Sequence, residues 1–512
     1  MPSTLTPTPE QQKAIDLFAD GGSLVVQAGA GSGKTTTLGM AARARNASGT
    51  YVAFNKAIVN DAGAAMPMGV EARTLHSLAY RAVQQHHRFG RRILADTRAP
   101  RIAPWAAAKI LGLNHETVVV EVPQSDGSRR RKVIQPTQLA SHVMRAVGVF
   151  CNSADAEPGI QHFPYMEGID RRLDDGRRGR GNNRQLATML VPWLRKAWDD
   201  LVSEDSQLRS RTNVHDLYVK LWHLGRYGVP GEFVLFDEAQ DASPVMLDAL
   251  FHAAKSGQQV CYVGDSSQQI YEWRGAIDAL DQVDGSFPRT SLTQSWRFGQ
   301  AVADVANLLL DKLDAPLRLQ GNPSLDTRVH TTPASAPRPD AVLCRTNAAA
   351  VEALLQYQAL GLNPHMVGGT DEIVYFATAA AKLQAGEKVG HPDLACFETW
   401  REVQAYVEDD PAGSDLRTMV RLLDGYGTQI VMDALTGLVA EREADVVVST
   451  AHKAKGREWP SVRLAGDFPD EEGQDPSPPE LRLMYVAATR AREHLDVSAC
   501  GAVRKIMAKV DR

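Results

Sequence analysis

The sequence predicts an α/β fold with parallel sheets, and two strand-like runs that end in polar loops support this prediction. Residues 23–28 read SLVVQA, a short apolar run of the kind that forms a buried parallel strand. A Gly-rich loop and a helix-forming segment, TTLGMAARA, follow this run. Residues 233–236 form a second apolar run, which ends at two adjacent carboxylates. Such strand–loop–helix units are typical of parallel α/β domains.

Length and composition limit the class of protein. The chain has 512 residues, which exceeds one ordinary core and predicts about two to four domains. Its 44% apolar and 23% charged residues are typical of a soluble globular protein. The net charge of −5 argues only weakly against nucleic-acid binding, because binding needs a local basic track and not a basic total.

Cysteine spacing and the N-terminal residues predict a cytoplasmic protein. The five cysteines are scattered without CxxC spacing, which predicts neither a zinc site nor a disulfide framework. Unpaired cysteines suit a reducing compartment. The first residues, MPSTLTPTPEQQ, lack the apolar core of a secretory signal, and no apolar run is long enough to span a bilayer. We therefore expect no membrane partner.

The Gly-rich loop after the first strand has the arrangement of a phosphate-binding P-loop. Small residues let backbone N–H groups close around phosphates at the N-terminus of a helix. Lys34 would then reach the β- and γ-phosphates, and Thr35 would hold Mg²⁺. The strict pattern has Gly where Ala28 stands, but the strand before the loop and the helix after it support the assignment. The candidate nucleotide-binding residues of the loop are Ala28, Gly29, Ala30, Gly31, Ser32, Gly33, Lys34, Thr35 and Thr36.

The carboxylate pair after the second run complements the P-loop. Asp237 is placed to bind Mg²⁺, directly or through water, and Glu238 to polarise the water that attacks the γ-phosphate. An isolated pair of this kind is usually a solvated turn, but a P-loop requires such a partner. GTPases, kinases and motors all contain P-loops, so these two motifs leave the function open.

Ten short segments, taken in order along the chain, resemble the motifs of the UvrD/Rep/PcrA-like superfamily 1A DNA helicases. The residue sequences FNKAI, TLHSLAY, QQIY, RFG and LCRTNA most resemble the corresponding motifs of the F-box DNA helicase branch. Because few residues precede PEQQKAI, we expect no F-box ahead of the motor, and no ubiquitin-ligase role is carried over. The ten segments are PEQQKAI (9–15), AGAGSGKT (28–35), YVAFNKAI (51–58), TLHSLAYR (74–81), FDEAQD (236–241), GDSSQQIYEWRGA (264–276), LTQSWRFG (292–299), AVLCRTNA (341–348), STAHKAKGREWPSV (449–462) and LMYVAATRARE (483–493).

The resemblance implies how the base and sugar of a nucleotide are held. Gln11 matches the residue that reads the edge of adenine. Trp296 matches the aromatic residue that stacks on adenine; the family more often has Tyr or Phe there, and the indole still offers a flat face. Gly456 and Glu458 match the segment that touches the sugar.

The resemblance also implies a catalytic contribution from the second half of the chain. Arg297 and Arg490 match the two arginines that reach the γ-phosphate, although a single arginine is more often part of a surface salt bridge. The implied cofactors are ATP and Mg²⁺, with Thr35 and Asp237 at the metal. The candidate catalytic residues are Lys34, Asp237, Glu238, Gln268, Arg297 and Arg490.

Residues 264–276 combine two kinds of side chain in one short segment. We expect Asp265 and Gln268 at the end of a strand, facing the γ-phosphate and its Mg²⁺-bound water. Tyr271 and Trp273 are expected just beyond, in a DNA channel, although core packing is an alternative for Trp273. A segment that touches both ligands would couple loss of the γ-phosphate to movement of the bases.

A track for single-stranded DNA follows from the same resemblance. Aromatic side chains stack on bases without sequence preference, at roughly 1–3 kcal/mol per base. The segment AFNK is one residue shorter than the TFTNK form of UvrD, so Phe54 is open to displacement. The positions that match residues lining the strand are Phe54, Asn55, Thr74, His76, Tyr271, Trp273, Arg274, Arg345, Asn347 and His452.

The motifs divide the chain into two RecA-like parallel-sheet halves with ATP in the cleft between them. Each half contains a long stretch without motifs, interpreted as a mostly helical insertion, and the second is much shorter than the matching subdomain of UvrD or Rep. The predicted boundaries are 1–85 and 195–295 for domain 1A, 86–194 for insertion 1B, 296–370 and 443–512 for domain 2A, and 371–442 for insertion 2B.

The first insertion contains two basic segments, SRRRK at 128–132 and DRRLDDGRRGRGNNR at 170–184. Both are interpreted as loops. A solvated loop and contact with duplex or phosphate are alternative interpretations, and composition does not decide between them.

The resemblance implies an ATP-driven translocase that moves 3′ to 5′ on single-stranded DNA and separates strands, in repair, recombination or replication. Its partners would be single-stranded DNA and junctions between single- and double-stranded DNA. A translocase that mainly strips recombinase filaments uses the same motifs and stays an open alternative. A helicase–nuclease has little room after ATRARE, and a non-motor P-loop switch does not explain the second set of arginines and aromatics.

Overall fold

A computed structural model of the chain contains two large parallel sheets, one hairpin and the helices that cover them. It describes residues 6–53, 56–123, 129–166, 170, 184–272, 277–283, 285–391, 393–394, 397–409, 414–470 and 476–509. Its strands are β1 (Leu24–Ala28), β2 (Gly49–Ala53), β3 (Val70–Thr74), β4 (Val118–Pro123), β5 (Arg129–Ile134), β6 (Phe233–Phe236), β7 (Gln259–Gly264), β8 (Arg289–Leu292), β9 (Arg328–His330), β10 (Ala341–Cys344), β11 (Pro364–Met366), β12 (Val446–Thr450), β13 (Trp459–Leu464) and β14 (Ala491–Asp496).

The first helix begins at a capping box. Thr8 caps the first helix by accepting from the N–H of Gln11, whose side chain accepts from the N–H of Thr8, and Pro9 occupies the first turn. The helices are α1 (Pro9–Ala19), α2 (Lys34–Arg45), α3 (Lys56–Gly63), α4 (Leu75–His86), α5 (Gly90–Ala95), α6 (Pro104–Leu111), α7 (Pro136–Asn152), α8 (Arg184–Val202), α9 (Val214–Leu224), α10 (Pro244–Lys255), α11 (Ala279–Gln282), α12 (Gln300–Lys312), α13 (Asn347–Ala359), α14 (Asp371–Gln384), α15 (Trp400–Asp409), α16 (Ser414–Tyr426), α17 (Thr428–Thr436), α18 (Pro478–Ala488) and α19 (Gly501–Ala508).

The first sheet has six strands in the order β3-β2-β6-β7-β1-β8, and every neighbouring pair is parallel. Strand β6 is buried at all four positions, as its uninterrupted apolar sequence predicts. Because β6, β7 and β1 are neighbours, the loops that follow them emerge side by side at the carboxyl edge of the sheet. Ligands of open α/β sheets bind at this edge.

The second sheet also has six strands, in the order β11-β12-β10-β13-β14-β9, and its neighbouring pairs are parallel as well. The two halves pack together at the P-loop. Ala30 of that loop and Ile270 belong to the same buried cluster as Phe298, Leu319 and Tyr485 of the second half. The first half therefore presents its phosphate loop directly to the core of the second.

The two insertions differ in content. The second consists of α14–α17, and it packs on α13 and its sheet. The first contains α5–α8 and an antiparallel hairpin of β4 and β5, in which Glu121 faces Arg131. The prediction of two parallel-sheet halves, each with a mostly helical insertion, is confirmed.

One local prediction about the first insertion is wrong. The basic segment 128–132 was expected as a loop, but residues 129–134 form β5, which is paired along its whole length with β4. The valine-rich strand β4 supplies the pairing partner, which the basic composition of 128–132 alone does not indicate. Of the other basic segment, 170–184, residues 171–183 lie outside the described residues.

Among the described residues, no helix has both the length and the apolar character needed to cross a bilayer.

Candidate functional site

The P-loop joins β1 to α2 and needs glycine at two of its positions. Gly31 and Gly33 have φ values of +72° and +77°, in the region that favours glycine. A Cβ on Gly31 would also lie 2.6 Å from Ser295 Oγ and 2.8 Å from the Cβ of Arg297. The segment that carries Trp296 and Arg297 therefore packs directly on the loop, and only glycine fits between them.

The two predicted magnesium ligands lie together at the mouth of the loop. The Thr35 hydroxyl donates to Asp237 Oδ2 at 3.3 Å, although the residues are 202 positions apart. Asp237 Oδ1 accepts from the N–H of Glu238 at 2.9 Å. A hydroxyl beside one carboxylate is an oxygen set that suits Mg²⁺, which is usually held by one or two carboxylates together with substrate phosphates. The described residues hold no cluster of three or more His, Cys, Asp or Glu that would suit a metal on its own.

A tyrosine that the sequence did not single out supports this pair. Tyr51 lies in β2, next to β6, and its hydroxyl donates to Asp237 Oδ2 at 2.7 Å. Burial, followed by the charge of Asp237, raises the pKa of Tyr51, so the hydroxyl stays a donor. Tyr51 therefore fixes the same carboxylate oxygen that Thr35 contacts.

The predicted base is surrounded by cationic and amide groups. Glu238 has φ of +55°, and its Oε1 lies 3.3 Å from Lys34 Nζ. Its Oε2 accepts from Gln240 Nε2 at 2.6 Å and lies 3.9 Å from Lys455 Nζ. Burial acts to raise the pKa of Glu238, but the charges of Lys34 and Lys455 outweigh burial and hold that pKa below its usual range. The carboxylate is thus held ionised.

Lys34 is held as a cation at the centre of the site. Burial acts to lower its pKa, but the carboxylates of Glu238, Asp237 and Asp265 outweigh burial and raise it. A buried cation that faces three carboxylates suits the binding of a polyphosphate with a divalent metal, because these ligands supply both signs of charge.

The third loop, after β7, contributes Asp265 and Gln268, both buried. Gln268 Nε2 donates to Asp265 Oδ2 at 2.7 Å, and the N–H of Asp265 donates to Gln240 Oε1 at 3.1 Å. Because Gln240 also contacts Glu238, the loops after β6 and β7 form one hydrogen-bonded unit. The expected position of Asp265 and Gln268 at a strand end is observed.

The second half contributes both predicted arginines. Arg490 is 2% exposed, and its Nη2 donates to Gln268 Oε1 at 3.2 Å across the two halves. Arg297 donates from Nε to Glu458 Oε2 at 2.6 Å and from Nη1 to the carbonyl of Thr489 at 3.0 Å. The guanidinium of Arg490 therefore contacts the first half, whereas that of Arg297 pairs with residues of the second half while its Cβ packs on Gly31 of the P-loop.

The residues assigned to the base and sugar also surround the loop. A Cβ on Gly33 would lie 3.4 Å from Gln11 Nε2 and 3.4 Å from Trp296 Cδ1, so these two side chains flank the start of α2. Trp296 is 50% exposed, which leaves a face of its indole open. Gly456 has φ of +83° and lies two residues before Glu458, the partner of Arg297.

Lys455 is a further residue that motif reading missed. Its Nζ donates to Asp241 and to the carbonyl of Gln268 (2.7 Å for the latter), and it lies 5.5 Å from the centre of the Tyr271 ring. Burial raises the pKa of Asp241 to about 6, although the charge of Lys455 opposes this. One cation of the second half thus contacts both carboxyl-edge loops of the first.

The proposed DNA residues are only partly described. Tyr271 donates to the carbonyl of His452 at 3.2 Å, which brings these two candidates together across the halves. Thr74 caps α4, and Arg345 pairs with Glu480 at 2.6 Å. The remaining described candidates, His76 and Asn347, are half-buried in the first turns of α4 and α13. Phe54, Asn55, Trp273 and Arg274 lie outside the described residues.

Two family models and several helicase sequences match this chain. A family model described as an AAA domain matches residues 11–274, just over half of the chain, and one described as a UvrD-like helicase C-terminal domain matches residues 445–497. The chain is 27% identical to F-box DNA helicase protein 1 of Schizosaccharomyces pombe, over 96% of this chain and 57% of that protein. It is 26% identical to F-box DNA helicase 1 of Gallus gallus, over 96% and 49%, respectively.

A shorter match is to DNA helicase IV of Escherichia coli, 29% identical over 25% of this chain and 20% of that protein. The chain spans about half the length of the F-box relatives it matches. The first family model covers the P-loop and the loops after β6 and β7, and the second covers Lys455 and Arg490. The chain belongs to the UvrD-like superfamily 1 helicases and is related to their F-box DNA helicase branch.

Proposed function

We propose that this chain is an ATP-driven translocase that moves 3′ to 5′ along single-stranded DNA and separates the strands of a duplex. One observation supports the proposal of a motor: Arg490 of the second half donates to Gln268 of the first, so the proposed phosphate site draws on both halves. The 3′-to-5′ direction follows from the family resemblance alone. A site completed by two bodies lets nucleotide turnover change their relative position. A P-loop switch with one lobe lacks a second body whose position could change with nucleotide turnover.

We propose the following roles for the groups of the first half. Lys34 binds the β- and γ-phosphates, and the backbone of the P-loop cradles them. Thr35 and Asp237 would hold Mg²⁺, which supplies charge neutralisation to the phosphates when bound. Glu238, ionised and 3.3 Å from Lys34, accepts the proton of the attacking water. The amide of Gln240 fixes the orientation of Glu238.

Arg297 and Arg490 act on the transferring phosphoryl group from the opposite side. Charge grows on that group in the transition state, and a fixed guanidinium in a dry cleft stabilises it. Arg490 is buried and held by the carbonyl of Val486 as well as by Gln268, so its position is set before the reaction. Gln11 and Trp296 are proposed to bind adenine, and Gly456 and Glu458 to contact the sugar.

DNA is proposed to bind beyond the same loop, along the ten positions that the family resemblance indicates. Tyr271 is three residues after Gln268 and contacts His452 and Lys455 of the second half. Lys455 in turn touches Asp241 and Gln268. A continuous chain of side-chain contacts therefore links the proposed phosphate site to the proposed DNA channel. Movement at the phosphate site on hydrolysis has a physical route to the DNA residues.

The residue boundaries predicted for domains 1A, 1B, 2A and 2B are also proposed, with the ATP cleft between 1A and 2A. The sheet order supports this division, because β8 pairs with β1 while β9 pairs with β14.

The proposed polarity predicts which DNA is unwound. A duplex with a 3′ single-stranded tail, or a fork, is expected to be separated in the presence of ATP and Mg²⁺, whereas a duplex with only a 5′ tail is not. The measurement is strand separation on duplexes of identical sequence that differ only in the tail. Equal or better separation from the 5′ tail would refute the direction.

A parallel assay distinguishes the proposed helicase from a translocase that mainly strips recombinase filaments. The same 3′-tailed DNA can be coated with a recombinase filament, and removal of the filament can be measured alongside unwinding of bare DNA. Filament removal with little unwinding would favour a protein-stripping translocase over a helicase.

A further inference from the structure

A buried tyrosine of the second half bridges two loops of the first. Tyr485 lies on α18 and is 0% exposed. Its hydroxyl accepts from the N–H of Ala30 at 3.4 Å and donates to Asp265 Oδ2 at 2.9 Å. A hydroxyl has one proton to donate and two lone pairs, so it can make both bonds at once. The P-loop backbone and the loop after β7 are therefore joined through one oxygen atom of the opposite half.

The carboxylate of Asp265 accepts several hydrogen bonds, including the one from Tyr485. Its Oδ2 accepts from both Tyr485 and Gln268 Nε2, and its Oδ1 accepts from the N–H of Ser267 at 3.1 Å. The carboxylate is fully buried, so each lost donor leaves an acceptor that water does not satisfy. Burial, followed by the charge of Asp265, raises the pKa of Tyr485, and its hydroxyl stays protonated as the donor.

The hydrogen bonds continue to the groups assigned to catalysis. From Asp265 they pass through Gln240 to Glu238, and through Gln268 to Arg490. Tyr485 is thus the point at which the helix that precedes Arg490 is tied to the P-loop. Side-chain networks in a low dielectric are worth more than separate pairs, and they hold one geometry.

We propose that Tyr485 is a positioning residue that sets the distance between the P-loop and the Asp265–Gln268 segment when the two halves close. This inference rests on the proposed function, because it assigns Tyr485 a part in hydrolysis that DNA stimulates. The hydroxyl touches neither the reacting atoms nor the base. It bonds to the P-loop backbone at Ala30 and to Asp265, which in turn accepts from Gln268.

Tyr485→Phe tests the proposal, because it removes only the bridging oxygen and keeps the ring that fills the core. We expect kcat of the DNA-stimulated ATPase to fall at least about tenfold, which corresponds to roughly 1.4 kcal/mol of barrier. The KM for ATP and the affinity for single-stranded DNA are expected to stay within about threefold, since no group that binds either ligand is removed.

Tyr262→Phe is the matched control. Tyr262 lies in β7, is 0% exposed, and among the described residues its hydroxyl has no hydrogen-bond partner. Both variants remove one buried hydroxyl from a tyrosine packed in a parallel α/β half. A thermal melt of each variant measures any loss of stability separately from the loss of rate.

A double-mutant cycle with Gln268→Ala adds a readout that simple packing would not move. If Tyr485 acts through Asp265 and Gln268, the two losses in kcat combine to much less than their product. Independent, multiplicative losses would overturn the proposal, as would a Tyr485→Phe enzyme that keeps kcat within twofold of wild type or loses no more than the Tyr262→Phe enzyme.

The result for the wild-type chain distinguishes two kinds of failure. Without DNA-stimulated hydrolysis in the wild-type chain, the proposed function fails, and the role of Tyr485 fails with it. With stimulated hydrolysis in the wild type and an unchanged Tyr485→Phe enzyme, only the role of Tyr485 fails.

Discussion

Replacement of Glu238 with Gln is expected to stop ATP turnover while ATP and DNA binding persist. The amide keeps the size of the side chain and its contact with Gln240, but it cannot accept the proton of the attacking water. A positioned general base contributes about 10²–10⁴ in rate, so kcat should fall by that factor. Binding should persist because Lys34 and the backbone of the P-loop remain.

ATPase rate and nucleotide affinity are measured together for this variant, with Glu232→Gln as the control. Glu232 precedes β6, is exposed, and contacts Ser48 at the opposite edge of the sheet from the P-loop. The control should retain wild-type kcat. Normal turnover by the Glu238→Gln enzyme would remove Glu238 from its assigned role.

Arg297→Ala and Arg490→Ala are each expected to lower kcat far more than they weaken ATP binding. Arginine fingers of related phosphoryl-transfer enzymes contribute about 10³–10⁵ in rate, because their charge acts mainly in the transition state. Arg490 also donates to the buried side-chain oxygen of Gln268, so its loss leaves that acceptor without this donor. A thermal melt must therefore accompany its kinetics, and Arg297→Ala gives the cleaner measurement.

Arg492→Ala is the control for both arginines. Arg492 lies beside the same Glu458, with Nε 3.9 Å from Oε1, but half of its side chain is exposed. Its loss should change kcat little. If Arg297→Ala or Arg490→Ala raised only the KM for ATP, the arginine concerned would be a binding residue and not a finger.

The elements that sequence predicted well are those whose chemistry is local. A Gly-rich loop between a buried strand and a helix is set by neighbouring residues, and so is a carboxylate pair at the end of β6. The two parallel sheets follow from such units repeated along the chain. Arg297, Arg490 and Trp296 are proposed as site residues only because they stand in motifs of a known family.

The residues that sequence missed act over long separations. Tyr51 and Tyr485 each carry one hydroxyl on a side chain that is otherwise typical of a hydrophobic core. The motifs that contain them do not indicate which hydrogen bonds these hydroxyls make. Tyr51 reaches Asp237 from 186 positions away, and Tyr485 reaches Asp265 from 220. Lys455 looks like a surface lysine in a polar segment, yet only 9% of its side chain is exposed, and its Nζ contacts Asp241 of the opposite half. Only tertiary contacts decide such roles.

The central claim is that ATP hydrolysis at the cleft moves the protein along single-stranded DNA. The most direct measurement is the ATP consumed in a single passage along oligonucleotides of increasing length, with an excess trap that prevents rebinding. The account predicts that the ATP consumed per bound molecule rises in proportion to oligonucleotide length. Consumption that is stimulated by DNA but independent of its length would contradict it, because a stationary ATPase, and not a motor, behaves in that way.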